Sequence, residues 1–122
     1  MLAGQLARPG WVPRCAVESD AFCREVLLSR QRDGLLPRFP IHSDCRTFSG
    51  FAWRGSIHLL SAGWPCQGFS AAGKGQGLND HRSGLWSEVA RLVSEVEPEW
   101  LLLENSPLLV SRGLECVLSD IA

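Results

Sequence analysis

The stretch SIHLLSAGWPCQGFSAAGKG, residues 56–75, joins an apolar run to a loop rich in small residues. Its first part, SIHLLSA (56–62), has the composition of a buried β-strand. The rest holds Pro65 and Cys66, followed by glycines, alanines and a serine. A loop that only connects two elements usually has about 4–6 residues. This loop is longer and carries a thiol, which indicates a functional segment directly after a strand.

Strand and helix patterns alternate around this stretch. Three further strands are predicted in RCAVESD (14–20), FPIHSD (39–44) and EWLLLEN (99–105), the last as a strand buried on both faces. Helices are predicted over Ala21–Asp33 behind the N-cap Asp20, over 84–97 between Ser83 and Pro98, and from about Arg112 onward. This alternation predicts an α/β fold with a mostly parallel sheet.

Apolar residues at helical spacing predict which side of each helix is buried. The middle helix has the clearest apolar stripe, and the other two have narrower ones. The predicted buried faces are Phe22, Cys23, Val26, Leu27 and Arg30 in the first helix; Leu85, Trp86, Val89, Leu92, Val93 and Val96 in the second; and Leu114, Val117, Leu118 and Ile121 in the third.

Polar or reactive residues follow all four predicted strands. These are Glu18, Asp44, the Pro65–Cys66 loop, and the pair Glu104–Asn105. In parallel sheets the carboxyl ends of the strands lie at one edge, where ligands bind. One acid after a strand is ordinary, whereas four such features at one edge predict a functional site.

Composition narrows the class of protein without identifying it. The chain has 122 residues and a formal net charge of −1, which gives no electrostatic indication of a nucleic-acid or membrane partner. Its apolar runs are far shorter than the roughly 20 residues of a membrane span. Five separated cysteines without a C-x-x-C pair, and three scattered histidines, fit neither a disulfide framework nor a metal site. We expect a soluble cytoplasmic protein with reduced cysteines.

Cys66 has three interpretations on the residues alone. It is a small buried hydrophobic residue, a thiolate nucleophile for an electron-poor centre with Glu104 as its acid, or the nucleophile of a cysteine hydrolase. A hydrolase needs a histidine base. His58 lies within a predicted strand and His81 in a polar loop, so the hydrolase is the weakest interpretation.

Five segments together resemble the C5-cytosine DNA methyltransferase family. GWPCQGFSAAG (63–73) is similar to the family's Pro-Cys-Gln loop, and LLLENSP (101–107) to its Glu-Asn-Val-Pro motif, with Ser106 in place of valine. VESDAFC (17–23), HSD (42–44) and GLNDHRSGLW (77–86) resemble the second, third and fifth motifs. The segments occur in the family's order and cover residues 10–122.

The resemblance implies a fold, a reaction and a role for each matching residue. It implies a partial Rossmann-like fold that binds S-adenosylmethionine, and a cytosine flipped out of double-stranded DNA. Cys66 would attack C6 of that cytosine and Glu104 would hold N3, so that C5 accepts the methyl group. The other implied roles are cofactor binding by Glu18, Asp44 and Pro65, and substrate binding by Gln67, Ser70, Arg82 and Asn105.

The sequence also lacks parts of the family pattern. The first motif, a Phe-x-Gly-x-Gly turn, has no counterpart, because LAGQLARPGW (2–11) is similar only to the helix that follows it. There is also no counterpart of the family's eighth motif, of its target-recognition region or of its last strands. We expect residues 1–122 to be a partial catalytic domain of bacterial or phage origin, from a restriction-modification setting, unstable or inactive alone. A complementing chain and a non-catalytic remnant both remain open.

Overall fold

A computed structural model describes residues 10–64 and 84–122 of the chain. Five residues with predicted roles lie outside these ranges: Pro65, Cys66, Gln67, Ser70 and Arg82. The Ser83 cap predicted for the middle helix lies outside them as well. The chain divides into two compact units, Met1–Phe48 and Ser49–Ala122.

The first unit has a strand–helix–strand arrangement. Strand β1 (Ala16–Val17) pairs in parallel with β2 (Ile41–His42), in the register Ala16 to Ile41 and Val17 to His42. Both strands are shorter than predicted. Helix α1 (Ala21–Arg32) connects them.

Helix α1 begins at the predicted N-cap and ends just before a glycine. The Asp20 carboxylate accepts a hydrogen bond from the Cys23 N–H at 2.9 Å, which satisfies one of the free amides of the first turn. After the helix, Gly34 adopts a φ of 73°, a left-handed conformation that glycine takes without strain.

The predicted buried face of α1 is wrong, because Phe22, Cys23 and Arg30 are exposed and Val26 and Leu27 are only half-buried. Phe22 is 76% exposed and no residue of α1 is buried.

The second unit contains a parallel two-stranded sheet with helices. Strand β3 (Leu59–Gly63) pairs with β4 (Trp100–Glu104), from Leu59 opposite Trp100 to Gly63 opposite Glu104. Helix α2 (Gly84–Val96) runs between them, and the predicted helix is thereby confirmed to within one residue. Glu97 follows with a φ of 52°, before Pro98.

The predicted last helix is present, and a short helix that was not predicted precedes it. Helix α3 (Leu109–Arg112) is followed at Gly113 by α4 (Leu114–Ile121). The Gly113 N–H donates to the Leu109 carbonyl, and the Gly113 carbonyl accepts from the Val117 N–H, so the glycine joins the two hydrogen-bond ladders. Val117 is 1% exposed as predicted, but Leu118 is 54% exposed.

Strand β4 differs from the prediction that both of its faces are buried. Trp100 is 72% exposed and Leu102 is 39% exposed, whereas Leu103 packs against the core. Exposure therefore alternates along the strand, as it does where one face of a sheet is covered. The core of this unit is formed by Trp64, Trp86, Leu109 and Val117.

A short segment after Ser49 packs against the carboxyl end of α2. It includes a 3₁₀ turn, Phe51–Trp53. The Gly50 N–H donates to the Glu95 carboxylate at 2.6 Å, and the Arg54 guanidinium donates to the Ser94 and Glu95 carbonyls, each at 2.9 Å. The two bonds from Arg54 satisfy carbonyls that have no partner within the helix.

The described parts thus form a mixed α/β structure with two small parallel sheets. This is compatible with a partial methyltransferase fold. None of the described helices is long and apolar enough to cross a membrane. Within 10–64 and 84–122, no three histidine, cysteine or acidic side chains lie close enough together to hold a metal ion.

Candidate active site

The carboxyl end of the β3–β4 sheet holds Glu104 directly opposite a glycine. Gly63 is the register partner of Glu104. A Cβ built on Gly63 would lie 3.0 Å from Glu104 Oε2, closer than nine in ten real contacts of that kind. The Glu104 carboxylate therefore lies over the end of β3, in space that a larger residue at position 63 would fill.

Asn105 connects the ends of the two strands through its side chain. Its Nδ2 donates to the Trp64 carbonyl at 3.3 Å, and its Oδ1 accepts from the Ser106 N–H at 2.8 Å. One amide group thus holds the residue that follows β3 and the turn that follows β4. Asn105 is half-buried, which shields these bonds from water.

Ser106 and Pro107 lead from this site into α3. The Ser106 Oγ accepts from the Leu108 N–H, and the Ser106 carbonyl accepts from the Leu109 N–H at 2.9 Å. These bonds satisfy amides at the start of the helix. The serine that stands in place of the family's valine therefore has a local structural role.

The Trp64 side chain packs in the core, in addition to the hydrogen bond that its carbonyl accepts from Asn105. It is 6% exposed, and its ring centroid lies 5.0 Å from that of Trp86 at an interplanar angle of 41°. Pro65 and Cys66 follow Trp64 in sequence but lie outside the described residues. The structure thus brings together Glu104, Asn105 and Trp64, and Trp64 is two residues before Cys66 in the sequence.

A second pair of predicted residues lies in the first unit. Glu18 directly follows β1 and Asp44 lies two residues beyond β2. Because these strands are parallel neighbours, both carboxylates belong to the same edge of the β1–β2 sheet. Both residues are half-buried.

Each of these carboxylates bonds a nearby backbone amide through one oxygen. Glu18 Oε1 accepts from the Asp20 N–H at 2.8 Å, and Asp44 Oδ1 accepts from the Arg46 N–H at 2.9 Å. The second oxygen of each has no hydrogen bond to another described residue. Arg24 also donates to the Glu18 and Ser19 carbonyls, which fixes the turn after β1. Two oriented acceptors at a strand edge suit ligand hydroxyl or amino donors.

Shifts in pKa occur in the first unit at Cys15, Asp20 and Cys23. Hydrogen bonds from the first turn of α1, chiefly the Cys23 N–H, lower the pKa of Asp20. Burial raises the pKa of the Cys15 thiol, just before β1. Desolvation, and then the Asp20 carboxylate, raises the pKa of the Cys23 thiol. Asp20 is therefore ionised at neutral pH, and Cys15 stays a thiol rather than a reactive thiolate.

Sequence reasoning missed three residues that shape this part of the chain. Gly63 makes room for Glu104, Trp64 anchors the end of β3, and Asp120 accepts a hydrogen bond from the Trp86 indole at 2.7 Å. The sequence did contain a signal for Gly63, since a glycine at the end of a strand often marks a place where another group comes close. Nothing in the sequence pattern pairs Asp120 with Trp86.

Comparison with known proteins agrees with the resemblance found in the motifs. The family model for C-5 cytosine-specific DNA methylases matches residues 6–122. Type II methyltransferase M.AluI of Cellulosimicrobium cellulans is 36% identical over 103 residues, 82% of this chain and 19% of the relative. Type II methyltransferase M.CviJI of Paramecium bursaria Chlorella virus IL3A is 36% identical over 69 residues, 57% of this chain and 19% of the relative.

A third relative matches a shorter stretch at higher identity. Type II methyltransferase M.HhaI of Haemophilus parahaemolyticus is 45% identical over 47 residues, 38% of this chain and 14% of the relative. The matches thus span a fifth or less of the length of these relatives.

Proposed function

Because this chain belongs to the C-5 cytosine-specific DNA methylase family, we propose that it supplies the nucleophile and the acid of a DNA cytosine-5 methyltransferase. The substrate is a cytosine in double-stranded DNA, turned out of the helix so that C5 and C6 become accessible. The fold proposed for the complete enzyme is Rossmann-like, with β3 and β4 adjacent in its parallel sheet.

The arrangement at the ends of β3 and β4 is the observation that carries this proposal. Glu104 lies opposite Gly63, and Asn105 holds the Trp64 carbonyl. Cys66 is two residues beyond Trp64, and two residues of chain reach at most about 7 Å. We propose that the thiol acts at the sheet end that holds Glu104, as a shared site for one base requires.

The proposed chemistry divides the work between these two residues. The Cys66 thiolate forms a bond to C6, and the electron pair of the C5–C6 double bond makes C5 nucleophilic. Glu104 holds a proton at N3 and so accommodates the charge that develops on the ring. After methylation of C5, loss of the C5 proton to a base re-forms the double bond and expels Cys66 as a thiolate.

S-adenosylmethionine, when bound, supplies an electrophilic methyl group. Glu18 and Asp44 fit its binding, because each offers a carboxylate oxygen without a described hydrogen bond at the edge of the β1–β2 sheet. We assign Glu18 to the ribose hydroxyls and Asp44 to the adenine amine, with Pro65 beside the cofactor. Gln67, Ser70, Arg82 and Asn105 are proposed to bind or position the DNA substrate.

The catalytic unit that we propose is longer than this chain. The matched part corresponds to about a fifth of M.AluI and of M.CviJI. We therefore propose a partial catalytic domain that works when it is completed, by a complementing chain or within a longer one. Both relatives are named Type II methyltransferases, which favours a cytoplasmic restriction-modification role in bacteria or their viruses. The alternative is a non-catalytic remnant.

Covalent trapping on DNA that contains 5-fluorocytosine, with S-adenosylmethionine present, tests the proposal. Once C5 is methylated it carries fluorine in place of the proton whose loss releases the cysteine. The isolated chain is expected to show no methyl transfer. A chimera in which residues 6–122 replace the matching segment of M.AluI is expected to form a denaturant-stable adduct with the DNA. The control chimera carries Cys66→Ser and forms none.

Three results would count against the proposal. A soluble, folded chimera that binds DNA without forming the adduct would favour the remnant. An adduct that persists in the Cys66→Ser chimera would assign the nucleophile elsewhere. Methyl transfer by the isolated chain that depends on Cys66 would refute the need for completion.

A further inference from the structure

We infer that Asp120 is a positioning residue for the start of the segment that contains Cys66, acting through Trp86 and Trp64. Its catalytic meaning rests on the function proposed above for Cys66. The first link is the hydrogen bond from Trp86 Nε1 to Asp120 Oδ2, at 2.7 Å. A carboxylate acceptor makes this a strong bond for an indole.

The second link is the contact between the two indoles. Trp64 is the last described residue before 65–83, and Trp86 lies at the start of α2, just after that segment. Their ring centroids are 5.0 Å apart in a tilted arrangement, within the range of favourable aromatic pairs. The pair thus joins the two described flanks of a segment that holds both Cys66 and Arg82.

The Trp64 ring depends on this contact for its position. Its Nε1 is buried and has no hydrogen-bond partner among the described residues. The ring is therefore held by packing, and Trp86 is one of its main neighbours in the core. Trp86 has the hydrogen bond that Trp64 lacks, so Asp120 fixes the orientation of both rings.

The position of Asp120 argues against a role in stabilising its own helix. It lies in the last turn of α4, where an acidic side chain opposes the helix dipole, and that turn has no basic residue. Asp120 is exposed, so its removal leaves no cavity. Asp120 therefore contributes through its hydrogen bond to Trp86, which orients the Trp86 ring and, through it, the Trp64 ring.

Hydrogen exchange on the full chain tests the inference, with Asp120→Ala, Asp120→Asn and the exposed neighbour Ser119→Ala as control. In Asp120→Ala, amides at the end of β3 (59–64) are expected to exchange about fivefold faster, the factor that a hydrogen bond worth about 1 kcal/mol corresponds to. Asp120→Asn keeps an acceptor and is expected to restore the wild-type rate. Exchange in α4 and in α1 stays unchanged.

Labelling of Cys66 with iodoacetamide, read by peptide mass, links this effect to the nucleophile. Its rate is expected to rise with the exchange at 59–64 in Asp120→Ala, while labelling of Cys15 in the other unit stays constant. The inference is overturned by an unchanged Cys66 rate, by Asp120→Asn behaving as Asp120→Ala, or by faster exchange in α4 itself. Neither measurement needs methyl transfer, so the chimera experiment can fail independently of this one.

Discussion

Glu104 and Gly63 lie opposite each other at the end of the β3–β4 sheet. The carboxylate lies where a side chain at position 63 would be, 3.0 Å from the position of a Cβ. A Cβ at position 63 would make the carboxylate shift by a few tenths of an ångström, so glycine leaves the acid free to take this position. The sequence motif contains Glu104 alone, whereas the strand register also places Gly63 opposite it.

Asn105→Ala tests the connection between the two strand ends. The substitution removes the bonds to the Trp64 carbonyl and to the Ser106 N–H. We expect the unfolding free energy of the second unit to fall by about 1–2 kcal/mol, from two hydrogen bonds of modest net value. Urea denaturation followed by circular dichroism measures it.

Asn105→Asp is the matched control for that substitution. Aspartate keeps an acceptor for the Ser106 N–H, but it replaces the donor to Trp64 by an oxygen that repels the Trp64 carbonyl. A loss in Asn105→Asp much smaller than that in Asn105→Ala would show that the Trp64 bond contributes little to stability.

Among the elements, the bounds of the two longer helices were predicted well, whereas the buried face of α1 and the burial of β4 were not. Helix α2 has an apolar stripe and a proline just beyond its end, and its observed bounds agree within one residue. The four apolar residues of β4 predicted burial on both faces, but an apolar run does not reveal which neighbours cover a strand. Trp100 and Leu102 are exposed because the described helices pack on the other side of that strand.

The segment after Ser49 gives a prediction at the scale of one element packed on another. In Gly50→Ala the new Cβ would lie 2.7 Å from Val96 Cγ2 and 3.0 Å from Glu95 Cβ, although the backbone φ of −82° suits alanine. We expect a loss of about 1–3 kcal/mol in unfolding free energy from overpacking. The exposed neighbour Ser49→Ala is expected to lose much less. Thermal unfolding of both variants measures the difference, and equal melting temperatures would contradict the close packing.

For the whole molecule, the pH dependence of stability includes a contribution from Glu95. The Gly50 N–H, and then the Arg91 guanidinium, hold the pKa of Glu95 below its ordinary value of 4.5. A carboxyl whose pKa is lower in the folded state stabilises the fold above the unfolded-state pKa and loses that effect as the pH falls through the folded-state pKa.

Glu95→Gln should therefore destabilise the second unit at neutral pH, and by less as the pH is lowered below 4.5. Denaturant titrations of wild type and variant across that range provide the measurement. A difference between the two that stays constant with pH would show that the charge of Glu95 is not what stabilises the contact. Glu88→Gln, which removes a different partner of Arg91, serves as the control.

The sequence predicted the α/β alternation, because apolar periodicity along the chain distinguishes helices from strands. It also predicted that four polar residues follow strands, because each lies at or just beyond the end of an apolar run: Glu18, Asp44, Glu104 and Asn105. It did not predict that β1 and β2 have only two residues each, since pairing length depends on neighbours far along the chain. The bond from Trp86 to Asp120 spans 34 positions and has no local signal. Roles for Pro65, Cys66, Gln67, Ser70 and Arg82 stay predictions.

The burial of the tryptophans gives the chain an intrinsic optical probe. Trp64 and Trp86 are 6% and 3% exposed, whereas Trp100 is 72% exposed and Trp11 is 45% exposed. Acrylamide quenches fluorescence by collision and so reaches the exposed indoles first, leaving emission dominated by the buried pair. That residual emission comes mainly from the two residues that flank the Cys66 segment, with a further contribution from the half-buried Trp53. The chain thus reports on the surroundings of its proposed nucleophile without an added label.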